Sequence, residues 1–251
     1  NTNFSNILNF SQDVHATYLQ FGSKYEHFNF LLGLRAELTD IRIDLETTDT
    51  QSNKTYSNLF PTLNLAYEFD DTSSIIFGYA KRIRRPRSWF LNPFPNRTSE
   101  TNFFTGNVDL DPTITNTFDI GYLKQWKSTT VNTSLYYNHS TDAIEFVFEE
   151  TGDFINGVAV TKRSPINLAT EDRIGFELTS RHSIGTWLRL NNSFNFFRFF
   201  KEGDYSYVNS QGETINQNFD ASDNSWSARI NAIVKLPAEI DWQTSFSYRS
   251  G

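Results

Sequence analysis

The chain has 251 residues and a formal charge of −7, with 24 Phe, 11 Tyr and 5 Trp but neither Cys nor Met. The acidic balance argues against a nucleic-acid partner, which would bring a basic excess. The absence of Cys excludes disulfides, thiol catalysis and Cys-ligated metals, and no stretch approaches the roughly 18 unbroken apolar residues of a membrane helix.

Alternation with period two runs through nearly the whole chain. It predicts about ten strands, at 8–23, 26–41, 59–70, 73–85, 113–127, 129–148, 160–181, 186–201, 222–236 and 240–250. In "HFNFLLGLRAEL", Phe28, Phe30, Leu32, Leu34 and Leu38 point one way, and Asn29, Gly33, Arg35 and Glu37 the other. "LFPTLNLAYEF" repeats the split, with Leu63, Leu65, Tyr67 and Phe69 opposite Thr62, Asn64, Ala66 and Glu68. Further on, "SWSARINAIVKL" sets Trp226, Ile230 and Val234 against Ser227, Arg229 and Asn231. One face is almost free of charge, while the other carries both signs.

Tight turns are expected at 24–25, 70–72, 127–128, 183–185 and 237–239. They alternate with longer polar connections at 42–58, 86–112, 149–159 and 202–221. Short turns at one end and long loops at the other are the layout of an outer-membrane barrel. A soluble antiparallel sandwich also alternates polar and apolar residues. Strand length, the parity of the loops, and aromatics near the ends of the apolar face (Phe69, Trp126, Trp187, Trp226) favour the membrane.

Residues 59–122 carry a more specific signal. "LFPTLNLAYEF", "GYAKRIRRPRSWFLNPF" and "GNVDLDPTITNTFDIGY" together resemble the C-terminal barrel of TonB-dependent receptor-like outer-membrane proteins of Bacteroidetes type. Val108 and Thr113 depart from that family's pattern. "SPINLATEDRIGFEL" is similar to an Asn-containing strand of the same receptors. The resemblance implies an all-β, antiparallel transmembrane barrel in the bacterial outer membrane. About ten strands of a larger plugged barrel would be present, with residues 1–251 forming part of one barrel domain and the plug and remaining strands lying elsewhere. It also implies TonB-dependent uptake of a small-molecule, glycan or peptide substrate, contact with outer-membrane lipid, a TonB complex acting through N-terminal parts, and a surface lipoprotein as a further partner. The alternative function is a non-transporting surface barrel used for adhesion or as an assembly scaffold.

Catalysis finds little support. His15, His27, His139 and His182 are scattered, without metal-ligand spacing, and are expected in the lumen or in turns. Asp109 and Asp111 fall short of a Ca²⁺ shell of roughly 6–8 oxygens, and turn formation before Pro112 suits them better. No metal, cofactor or enzymatic activity is expected.

The basic run after Tyr79 supplies the candidate site. Alternation turns Arg82 and Arg84 toward a wet lumen and leaves Lys81 and Arg85 on the apolar side, where they would snorkel to the headgroups. Arg82, Arg84, Arg87, Trp89 and Phe90 are therefore the candidates for contact with ligand or plug at the outer mouth. Two readings of them stay open: recognition of an anionic or sugar-like ligand, or pairing with acidic wall residues and the plug.

Overall fold

A computed structural model describes residues 6–46, 50–97 and 99–250. Strands β1 (Leu8–Tyr25), β2 (Phe28–Leu45), β3 (Thr50–Asp70) and β4 (Ser73–Arg84) open the chain. The connection that follows holds a 3₁₀ turn at Ser88–Phe90 and two short strands, β5 (Asn96–Arg97) and β6 (Asn102–Phe104). Next come β7 (Thr113–Gln125), β8 (Thr129–Ile155), β9 (Val158–Ile184) and β10 (Leu188–Glu202). A small hairpin, β11 (Asp204–Val208) and β12 (Thr214–Asn218), precedes β13 (Ala221–Leu236) and β14 (Ile240–Arg249). Ten long strands form one antiparallel meander in the order β1-β2-β3-β4-β7-β8-β9-β10-β13-β14. The sheet does not close, and β1 and β14 are its edges among the described residues.

Register joins the apolar sets into a single face. Leu65 lies opposite Phe30 on one side and Phe77 on the other. The row continues through Ile120, Leu135, Phe176, Phe196 and Trp226, and Val234 and Ile230 face Trp242 and Phe246 on the last strand. These side chains are open to the surroundings, Leu135 at 56% and Phe246 at 65% of full exposure. Such a continuous exposed apolar surface suits lipid. Aromatic contacts gather toward both ends of the band, with Tyr67–Phe69 and Phe69–Tyr122 at one and Tyr79–Phe118 and Trp226–Tyr248 at the other. The opposite face holds Arg35, Asn64, Gly78, Asp119, Glu177, Asn195 and Arg229.

Two expected loops are largely strand. Leu38–Leu45 pair with Thr50–Ser57, so most of 42–58 is a ladder. β8 and β9 run on to a two-residue turn at Asn156-Gly157, replacing the expected connection at 149–159. Both turn residues have positive φ, 51° and 80°, as a tight hairpin turn requires. At 27 residues each, β8 and β9 far exceed the roughly 9–11 that span a bilayer. Their outer halves stand in water, where a ribbon can be polar on both faces, and that is why composition alone reads as loop.

The β4–β7 connection folds back onto the inner wall. Leu91 and Leu110, each 2% exposed, pack on Ile41 and Ile43. Leu8, Phe10, Tyr56 and Val108 flank this small core.

Candidate functional site

The loop is held at its root by Arg85. β4 ends at Arg84, and Pro86 follows, which removes a ladder donor and takes the chain out of strand alternation. Arg85 therefore swings to the inner wall instead of the lipid face. Its Nη2 donates to Glu37 Oε2 at 2.5 Å and to Thr39 Oγ1 at 3.0 Å, and its Nε donates to Tyr56 Oη at 3.2 Å. Arg35 Nε holds the other oxygen of Glu37 at 2.5 Å. The expected snorkelling role of Arg85 is thus corrected, whereas Lys81 keeps the parity of the outer face, level with Asn116 and His139.

Arg82 and Arg84 lie on the inner wall opposite Thr115 and Thr113. Both are exposed, as is Arg87. None of the three guanidinium groups has an ion pair or side-chain hydrogen bond among the described residues. Trp89 and Phe90 sit in the 3₁₀ turn, with Trp89 half-exposed and stacked nearly parallel on Phe146 at 6.3 Å. Phe104 joins the cluster, and Arg163 lies 4.0 Å from the centre of the Phe146 ring. The mouth thus combines free guanidinium groups with an exposed indole.

Partners far apart in sequence brace this arrangement. Asn167 accepts from the Asp111 backbone N–H and donates to the carbonyls of Asp111 and Asp142. Lys54 donates to the carbonyls of Asp109 and Leu110 and pairs with Asp111 at 2.8 Å. Asp109 and Asp111 are therefore a clamped turn. His15, His139 and His182 share the parity of the outer face, contrary to the expected lumen or turn positions. His139 bonds Asp172 at 2.8 Å, and His182 meets Thr129. Deeper in the wall, the Asp119 carboxylate occupies the space where a Cβ on Gly78 would stand, and the Tyr136 ring does the same at Gly175. Both side chains lie flat along the wall.

Two connections grip the projecting β8–β9 hairpin. Trp89, Phe90 and Phe104 meet Phe146, whereas Tyr205 and Lys201 meet Glu149 and Glu145. Even and odd positions of a strand face opposite ways. The β4–β7 and β10–β13 connections therefore cover opposite faces of the hairpin.

An open meander with an exposed apolar band, a polar inner wall and loops gathered at one end defines an outer-membrane β-barrel protein. The chain belongs to the outer membrane protein beta-barrel family, whose profile matches residues 1–251. No curated protein sequence matches it. Among solved structures it is similar to the FrpB iron transporter of Neisseria meningitidis (F3-3 variant), with 10% identity and a TM-score of 0.54 over 97% of this chain and 46% of that one. It is also similar to the copper transporter OprC, at 12% identity and a TM-score of 0.58 over 95% and 39% of the two chains. The Serratia marcescens hemophore receptor HasR, seen with its hemophore HasA and heme, gives 10% identity and a TM-score of 0.61 over 95% and 51%. At such identities the likeness is one of fold. The chain spans about half the length of these proteins or less.

Proposed function

We propose that the chain is part of the wall of a TonB-dependent outer-membrane receptor that captures a nutrient outside the cell and passes it inward when a plug is displaced. The observation that carries this reading is the set of unpaired Arg82, Arg84 and Arg87 beside exposed Trp89, at the loop end of a polar inner wall. Guanidinium groups left without protein partners are free to bind a ligand or a plug. The transporters and receptors of similar fold, named for iron, copper and a hemophore, support uptake as the role. Unpaired strand edges are not viable in lipid, so β1 and β14 need further strands to complete one barrel domain.

The test is uptake by cells carrying Arg84→Ala and Trp89→Ala in the full-length protein. Iron complexes, copper, oligosaccharides and peptides would be screened for a nutrient whose uptake needs both this gene and TonB. If the site captures ligand, uptake of that nutrient falls in the variants while the barrel stays heat-stable and surface-exposed. If it docks a plug, passive antibiotic entry rises instead. Variants that match the parent in both respects would remove the site from the account.

A further inference from the structure

The projecting half of the β8–β9 hairpin has two free edges, and they are closed in different ways. On the β9 side, β6 adds a true parallel ladder, pairing Asn102–Phe104 with Thr161–Arg163. Main-chain bonds extend it, Thr161 N–H to Thr101 at 2.8 Å and Thr105 N–H to Arg163 at 2.9 Å. On the β8 side no strand is present among the described residues. β7 begins only at Thr113 and pairs no further along β8 than Thr141, which leaves the backbone of Phe148 and Glu150 facing outward.

Side chains of the β11–β12 hairpin cover that edge. Gln217 Oε1 accepts from the Phe148 N–H at 3.1 Å, and Gln217 Nε2 donates to the Phe148 carbonyl. One side-chain amide thus makes the pair of bonds that an opposing residue of an added antiparallel strand would make. Tyr207 Oη accepts from the Glu150 N–H at 3.2 Å, and Tyr205 donates to Glu149. β11 and β12 ladder only with each other, as a separate two-stranded sheet. The cover therefore meets the edge through side-chain contacts with no ladder to break, and its remaining hold on the ribbon is packing, with Ser210 beside Gly152 and Gly203 beside Leu168 and Ala169.

We propose that the β8 edge at Phe148 and Glu150 is a docking edge for an extended basic peptide, and that the β11–β12 hairpin is its removable cover. An uncovered edge accepts an extended chain by strand addition, with main-chain bonds giving affinity and alternate side chains giving specificity. Phe148 is 49% exposed beside it, ready to meet an apolar side chain of the occupant. The charge of the occupant follows from its surroundings. Residues 143–155 carry four acidic and no basic residues, and 202–223 carry five acidic and none basic. Lys201 and Lys162 neutralise Glu145 and Glu149, and the Arg163 guanidinium lies over the Phe146 ring, 5.7 Å from that of Phe148. Glu150 and Asp153 have no cationic partner among the described residues, so the acidic excess at the edge is theirs.

The test uses full-length protein in detergent and a fluorescein-labelled octapeptide of alternating Lys and Val, followed by fluorescence anisotropy. A covered edge lowers apparent affinity by the fraction of molecules that are open, so Gln217→Ala with Tyr207→Phe is expected to tighten binding about fivefold or more. The same peptide methylated on every backbone nitrogen keeps its charge but cannot form a ladder, and it is expected to lose binding to both proteins. Both substitutions remove polar groups at the surface, and the heat-shifted gel mobility of a folded barrel confirms that the variant is intact. Equal binding of methylated and unmethylated peptide would mean charge adsorption alone and would overturn the proposal. So would an unchanged affinity in the double variant, or no binding by either protein.

Discussion

Arg85 Nη2 lies 2.5 Å from Glu37 Oε2, joining the first residue after β4 to the inner wall of β2, with Glu37 only 7% exposed. The pair fixes where the β4–β7 connection leaves the sheet. The Leu91 and Leu110 packing on Ile41 and Ile43 then determines where that connection lies. Together they turn a loop that could stand above the barrel into a lining of its mouth, and they position Arg87 and Trp89.

Removing one partner of a buried ion pair leaves the other uncompensated, typically at about 3–5 kcal/mol. Arg35 remains on the other oxygen of Glu37, and the Arg85 side chain is 20% exposed, so Arg85→Ala is expected at or below the lower end of that range. Thermal unfolding in detergent should shift down, and limited proteolysis should open residues 86–112. The apolar pair Glu37→Leu with Arg85→Met should recover much of the loss, because it leaves no buried charge. Protection of the loop in Arg85→Ala equal to that of the parent would show that the Leu91 and Leu110 core holds it unaided.

Neighbouring residues on β8 test the assignment of the two faces. Leu135 lies in the exposed apolar row, and Ser134, one residue earlier, faces the lumen opposite Glu177. An arginine on the lipid face near the midplane costs about 2–4 kcal/mol, so Leu135→Arg should sharply lower the yield of folded barrel in vesicles. Ser134→Arg should assemble normally, since its guanidinium group can meet Glu177. The reverse pattern would mean that the two faces are exchanged.

Tyr205 provides a titration marker for the β10–β13 connection. Burial, with the Glu149 carboxylate beside it, pushes the phenol up from 10.0 to about 12. The native state therefore holds this proton more tightly than the unfolded chain. The associated stability is complete below pH 10 and is lost as pH rises through about 12. Ultraviolet absorbance titration should show a late tyrosinate signal whose amplitude falls by one tyrosine in Tyr205→Phe. If that substitution leaves the late signal undiminished, the Tyr205–Glu149 contact is absent in solution.

Much of this fold was legible because the membrane-spanning part of each strand separates two solvents. Period-two alternation in Phe28–Leu38 or Trp226–Val234 records that boundary directly, and the parity that put Arg82 and Arg84 on the inner wall is the same signal. Arg85 escaped it because β4 stops one residue earlier, so alternation no longer applied. The ladders at 42–58 and 149–159 were hidden for a related reason, since outside the bilayer both faces are wet and polar residues mark no side. Asn167 stood out in "SPINLATEDRIGFEL", but its partners Asp111 and Asp142 are 56 and 25 residues away. The cover over the β8 edge left no pattern at all, because a single Gln217 amide takes the place of a strand.

The most direct measurement of the central claim is which end of the barrel faces the medium. The chain has no native Cys, so single cysteines at Asn53, on the projecting part of β3, and at Asp71, in the β3–β4 turn, can be probed with a membrane-impermeant maleimide on intact cells. Alternate connections of a meander lie at opposite ends of the sheet. The expected result is labelling of Asn53→Cys on intact cells, with Asp71→Cys reacting only after the outer membrane is permeabilised. Labelling of Asp71→Cys alone on intact cells would contradict an outward-facing mouth at Arg82, Arg84 and Trp89, and with it the receptor reading.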